Sequence, residues 1–195
     1  MDALPPVRGL PQNVGDDHWR PRHTRPIETL RPIEPEDADT YWRWHRDPAV
    51  TRWLAHDYDE SLAQIRNRFT ERPVNSYSSA VFAVETLADR TLIGTVALRD
   101  ATPETALAEL DVYLGEERYR GHGYGTDTVR TICRYGFDTM RLHSIRLWVV
   151  ADNDAAIRSY QKVGFRTDGR GRDAFRRDGC WYDTVLMSLL EGELT

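Results

Sequence analysis

Residues 120 to 125 read Arg-Gly-His-Gly-Tyr-Gly, at the point where a β-patterned run, Ala106 to Leu114, gives way to a helical one. Val129, Ile132, Cys133 and Phe137 recur there on one face of a helix reaching about Met140. A helix N-terminus leaves backbone N–H groups unpaired and carries about half a positive charge, so a loop that admits a ligand to the backbone there suits phosphate oxygens. Gly123 and Gly125 lack the Cβ atoms that would block such an approach. A mononucleotide P-loop needs a lysine after its last glycine, and no glycine in this chain is followed by lysine. The dinucleotide fingerprint fails too, because its third glycine would stand at position 126 and falls instead at Gly125. A plain glycine-rich turn linking strand to helix is the structural alternative.

The surrounding pattern predicts one domain with an appendage. Five of the ten prolines fall within residues 1–27, which predicts a proline-rich arm, either a flexible leader or a segment packing on a second subunit through Leu10, Val14 and Trp19. The domain proper is predicted over 28–195. It opens with a strand from Glu28 to Ile33 and a helix led by Pro35-Glu36-Asp37 and ending near Asp47-Pro48. A second helix is expected from Ser61 to Glu71, with Trp42, Trp44 and Trp53 carried by the two. Strands follow at Ala80–Thr86, Thr91–Leu98 and Ala106–Leu114, as a meander. After the glycine loop and its helix come a strand at Ser144–Val150, a helix from Asp152 to Lys162 stopped by Gly164, and a hairpin of Phe165–Asp173 and Trp181–Leu190.

Charge narrows the function. The net charge of -5 argues against nucleic acid as a partner, and no run approaches the ~18 apolar residues of a membrane span. Cys133 and Cys180 are too few for a disulfide framework and have no spacing that suggests a metal. With no apolar leader at the N-terminus, a cytoplasmic location is expected.

Arg120-Gly121-His122-Gly123-Tyr124-Gly125 resembles the R/Q-x-x-G-x-G/A element of the GNAT superfamily, the GCN-five-related N-acetyltransferases. Twenty-eight residues after Gly125, the run Asn153 to Phe165 is similar to the superfamily's second signature, N-x-x-A-[IV]-x-x-Y-x-K-x-G-F. Leu30-Arg31-Pro32-Ile33 with Glu36-Asp37-Ala38 and Asp47-Pro48 resembles the opening of the Rim-type branch, which acetylates ribosomal proteins and also holds enzymes acting on antibiotics and polyamines. The resemblance spans about 28 to 190. It implies an α/β (α+β) fold, a mixed and mainly antiparallel central sheet flanked by helices, and acetyl-CoA as co-substrate with no metal. It also implies a homodimer.

By the same resemblance, Arg118, Arg120, Gly121, His122, Gly123, Tyr124, Gly125 and Thr126 hold the cofactor's diphosphate, with Asn153 at the second motif. Val112, Tyr113 and Leu114 line the acetyl and pantetheine portions through main-chain groups. Amine acetylation needs a neutral amine, an in-line approach to the thioester and protonation of the departing thiolate. Tyr160 occupies the place of the family's tyrosine acid, although a tyrosine on such a helix is more often core. For the base, period-two geometry puts Glu109 and Asp111 on one strand face. Glu109, eleven residues before Arg120, resembles the glutamate base of histone-acetylating members and is the first choice, with its pKa expected to rise on desolvation. Asp111 is the second; a chain of waters and an ordinary solvated strand face are the alternatives. Trp53, His56, Asp57 and Tyr58 fall in the acceptor wall, where acids attract an ammonium and aromatics cover it, unless the acids merely cap the second helix.

The expectation is therefore an N-acetyltransferase acting on a primary amine of a small molecule (aminoglycoside, polyamine or amino-acid-like) by direct attack in a ternary complex. Acetylation of the N-terminal amine of a ribosomal or other protein is the alternative. A non-catalytic acyl-CoA-binding domain is the third.

Overall fold

A computed structural model describes residues 28–55 and 59–195 of the chain. The arm over 1–27 and three of the expected acceptor residues, His56, Asp57 and Tyr58, lie outside the described residues. One sheet of seven strands organises the rest: β1 (Glu28–Pro32), β2 (Ser79–Thr86), β3 (Leu92–Arg99), β4 (Leu107–Leu114), β5 (Ser144–Val150), β6 (Arg166–Arg177) and β7 (Cys180–Leu190). Their order is β1-β2-β3-β4-β5-β7-β6, and every junction is antiparallel except β4 with β5. The mixed, mainly antiparallel sheet flanked by helices is as expected.

The helices follow from local chemistry. Pro35–Asp37 forms a 3-10 turn leading into α1 (Ala38–His45). A short α2 (Pro48–Thr51) comes next, capped by Asp47, whose carboxylate accepts from the Ala49 N–H. α3 (Leu62–Thr70) begins on a capping box in which Ser61 and Gln64 bond each other's backbone N–H groups. α4 (Tyr124–Asp138) buries Val129, Ile132, Cys133 and Phe137, the stripe read from the sequence. α5 (Asp154–Val163) ends at Gly164, whose φ of 114° only glycine adopts without strain. An added Cβ there would also stand 2.3 Å from the Glu193 carbonyl oxygen.

Two details differ from the sequence expectation. Trp53 lies on neither long helix but in the turn after α2, an element hidden because four residues carry no period. The last hairpin is longer, since β6 runs to Arg177 and turns through Asp178 and Gly179, both at positive φ. Its charged stretch, Arg170 to Arg177, masked the alternation.

Apolar side chains from α4, α5 and the sheet close one core that includes Leu98, Ile132, Ile145, Met187 and Leu189. Each such aliphatic chain contributes roughly 1.5–3 kcal/mol on burial. Ala38, Ile65 and Phe69 form a second, small core under α1 and α3. Glu109, Asp111 and Tyr113 alternate away from the core face of β4, and the Tyr113 ring meets Tyr41 and Trp44 of α1.

Candidate active site

The ladder between β4 and β5 has only three residue pairs, Leu107–Glu109 against Ser144–Arg146. Beyond them β4 keeps its pairing with β3 as far as Leu114, while β5 turns wholly to β7. The two strands therefore part, and their ends wall a cavity of about 1250 Å³. An edge of β4 from Leu110 onward is left facing this gap without a ladder partner, and Val112, Tyr113 and Leu114 stand at the cavity wall.

The glycine loop closes one end. Gly121, Gly123, Gly125 and Thr126 line the cavity at the start of α4. Gly121 and Gly123 have φ of 78° and 92°, and Gly123 is the N-cap. That left-handed cap turns the chain sharply and leaves the first N–H groups of a fifteen-residue helix directed at the loop. A Cβ on Gly125 would meet nothing nearer than Leu114 at 3.8 Å, so its absence widens the cleft rather than relieving a clash. Arg120 reaches the cavity but its guanidinium is occupied: it donates to the Leu114 carbonyl at 3.2 and 3.1 Å and to the Ala49 carbonyl at 3.3 Å. It pins the end of β4. Arg118 stacks over Tyr119, Tyr124 meets Tyr119 edge to face, and the His122 ring bonds the Arg120 carbonyl at 2.8 Å. None of these three lines the cavity.

α5 supplies the opposite wall. Asn153 caps it, its side-chain oxygen accepting from the Ala156 N–H at 3.3 Å. Ser159, which no spacing in the sequence singled out, bonds Thr126 across the helices at 2.7 Å and ties the first turn of α4 to the middle of α5. Tyr160 is 9% exposed, lies against Phe165 and borders the cavity. Burial first, and the charge of Asp111 second, push its phenol well above the ordinary tyrosine value. It therefore keeps its proton at neutral pH.

The two candidate bases are brought to the same cavity, each with an arginine. Asp111 accepts from Arg99 at 2.8 Å and Glu109 lies 3.4 Å from Arg146. Their side chains are 59% and 31% exposed, so Glu109 is the more enclosed. The desolvated carboxylate anticipated from the sequence is replaced by ion pairs at the cavity mouth.

Further residues join the cavity that the sequence did not single out. His45 Nε2 lies 3.0 Å from the Tyr113 hydroxyl, and Tyr41 stacks on His45 at 4.1 Å. Trp148, outward-facing on β5, and Phe175 on β6 also line the cavity, as does Trp53. Their only signal was an aromatic at a polar-phase strand position. Trp53, the one expected acceptor residue within the described range, meets Tyr182 at 5.6 Å. Arg177 donates to the Leu54 carbonyl, so the turn after α2 and the β6–β7 hairpin are joined.

Residues 29–166 match the family model described as Acetyltransferase (GNAT) domain. The chain belongs to the GNAT family. It is an acetyl-CoA-dependent N-acetyltransferase. Among similar proteins, "Uncharacterized N-acetyltransferase p20" of Bacillus licheniformis is 27% identical over 172 residues, covering 85% of this chain and 93% of the relative. Spermidine N(1)-acetyltransferase of Escherichia coli K12 is 25% identical over 162 residues, covering 83% and 85%. A crystal structure of spermidine N-acetyltransferase from Vibrio cholerae, in complex with CoA and spermine, superposes with a TM-score of 0.75. It is 23% identical over 86% of this chain and 97% of that one, a likeness of fold. Among the described residues of this acetyltransferase, no helix is long and apolar enough to cross a membrane, and no group of three or more His, Cys, Asp or Glu could hold a metal.

Proposed function

We propose that the chain transfers the acetyl group of acetyl-CoA to a primary amine of a small molecule by direct attack in a ternary complex. The observation that carries the choice of a small molecule is the closure of the acceptor end. The Trp53–Tyr182 contact and the bond from Arg177 to Leu54 join two walls that an extended peptide would need to pass between.

In this reading the cofactor enters the gap between β4 and β5 with its diphosphate at the N-terminus of α4, and the β4 edge orients the thioester. The residues present fit the group: a Cβ at Gly121 would meet nothing within 4 Å, and Asn153 and Thr126 line the same cavity. The amine arrives from the side of Glu109 and Asp111, which take its proton directly or through water. Tyr160 donates to the sulfur as the thiolate departs. A homodimer and a cytoplasmic location belong to the same proposal.

The test is release of CoA thiol from purified protein with acetyl-CoA and a panel of primary amines, alongside mass spectrometry of protein N-termini. Turnover of a small amine supports the proposal. Modification of protein N-termini alone replaces it with the protein-acetylating alternative, and acetyl-CoA binding without any product turns the domain into a binding module.

A further inference from the structure

Beside the acceptor arm lies a second, small cavity of about 70 Å³, bordered by Arg68, Arg72 and Arg99. Tyr41, Val81, Thr95 and Arg99 line both this cavity and the large one, so the two adjoin along β2 and β3. A cavity of this size is several times what one water requires and accommodates a carboxylate or phosphate group. Three guanidiniums around one small space demand compensation. Arg99 has Asp111 at 2.8 Å and Arg68 has Glu60 at 2.8 Å. Arg72, half-buried, makes no hydrogen bond or ion pair among the described residues. Among the described residues, three positive charges stand against two negative, and Arg72 is left without a charged partner.

We propose that the small cavity receives an oxyanion of the acceptor, so that the substrate is a primary amine bearing a carboxylate or phosphate group. The proposal rests on the reading of a small-molecule amine given above and narrows it. Arg99 is the link between the two functions. One side of its guanidinium holds Asp111 at the reaction cavity, and the other borders the oxyanion space. Tyr41 and Thr95 line the same wall. An oxyanion seated there supplies the missing negative charge and anchors the amine at a fixed distance from Glu109 and Asp111. Desolvation, with Arg99 and Arg68 as like charges, lowers the Arg72 pKa, the direction expected of a cation awaiting an anion.

The experiment compares matched acceptors: an amino acid against its decarboxylated amine, and phosphoethanolamine against ethanolamine. The oxyanion-bearing member should show kcat/KM higher by about 10-fold or more, the range of a charge-assisted hydrogen bond to a partly buried arginine. In Arg72→Gln that preference should collapse towards unity while KM for acetyl-CoA holds, and Arg72→Lys, which keeps the charge, should retain part of it. Whichever pair shows the effect distinguishes carboxylate from phosphate. Equal use of both members, or a preference that survives Arg72→Gln, overturns the proposal while leaving the small-amine reading intact. No turnover of any amine overturns the small-amine reading instead. A readout independent of turnover separates the two: with CoA saturating, inorganic phosphate should raise the melting temperature of the wild type more than that of Arg72→Gln, and equal shifts also overturn the proposal.

Discussion

The two arms of the cleft are built on different principles. The arm we assign to the cofactor is made of backbone: a left-handed cap at Gly123, the N-termini of α4 and α5, the bare edge of β4, and caps whose partners lie a few residues away. The arm we assign to the acceptor is made mainly of side chains that meet across long stretches of chain, such as His45 with Tyr113 and Trp53 with Tyr182. A backbone site serves any chain that repeats the local turn. A side-chain site is particular to its residues, so relatives with the same cofactor arm can accept different amines.

The largest effect tests whether the arms are mechanically one body. Glu28 opens β1 on the acceptor half and is buried to 1% exposure against α4 of the cofactor half. Burial first, then the charge of Asp127, push its carboxyl from 4.5 to about 8, against a smaller lowering by the Thr131 hydroxyl. A folded pKa raised above the unfolded one gives stability that is complete below pH 4.5 and is lost as pH rises through 8. A shift of this size corresponds to about 5 kcal/mol at most. Glu28→Gln should therefore match the wild type near pH 4 and be more stable at pH 9, as read from urea midpoints across pH. If the midpoints of the two proteins run parallel over the whole range, the carboxyl does not couple β1 to α4.

Tyr160→Phe comes next. Loss of a general acid reduces rate by about 100-fold or more, and because the ring packing on Phe165 persists, KM for acetyl-CoA should move by no more than about two-fold. Steady-state kinetics decide it. An unchanged kcat moves the proton donor elsewhere and leaves Tyr160 as a core residue that happens to border the cavity.

This division also explains what the sequence disclosed. The stripe of α4, the Gly164 stop and the capping signals are short-range physics, and each appears in the structure where the pattern put it. The parting of β4 from β5 could be expected only through family resemblance, since no residue marks where the ladder stops at Glu109. α2 and the end of β6 escaped because four residues or a run of charges carry no period. The arginine partners of Glu109 and Asp111 depend on strand register. A register is a property of two segments, invisible in either one.

Gly115→Ala probes the seam between the arms directly. A Cβ there would stand 2.0 Å from the indole of Trp44 and 2.3 Å from a second of its ring atoms. That ring is 1% exposed and held by its N–H bond to Glu116 at 2.9 Å, with Arg43 on the same carboxylate, so it has little room to yield. Overpacking of this kind costs about 1–3 kcal/mol. It should displace α1, raising KM for the amine more than KM for acetyl-CoA, and thermal melting with two-substrate kinetics reads both. Equal changes in the two constants would mean that α1 belongs to the cofactor arm as much as to the acceptor arm.

The smallest effect is expected at Arg120, which joins the arms through carbonyls alone. Arg120→Met removes the bonds to Leu114 and to Ala49 while keeping most of the aliphatic stem. These bonds are partly exposed, and their loss should cost about 1 kcal/mol, or roughly five-fold in KM for acetyl-CoA, with kcat nearly retained. A guanidinium that gripped the diphosphate itself would matter far more, because a charge-assisted contact to a phosphate is about twice as strong as a neutral one. The two roles also differ in salt dependence. A clamp on Leu114 leaves the ionic-strength dependence of acetyl-CoA binding as it is in the wild type, whereas a lost phosphate contact flattens it. If the slope flattens in Arg120→Met, the side chain swings from the β4 carbonyls to the ligand on binding, and the cofactor arm is then less purely backbone than its geometry indicates.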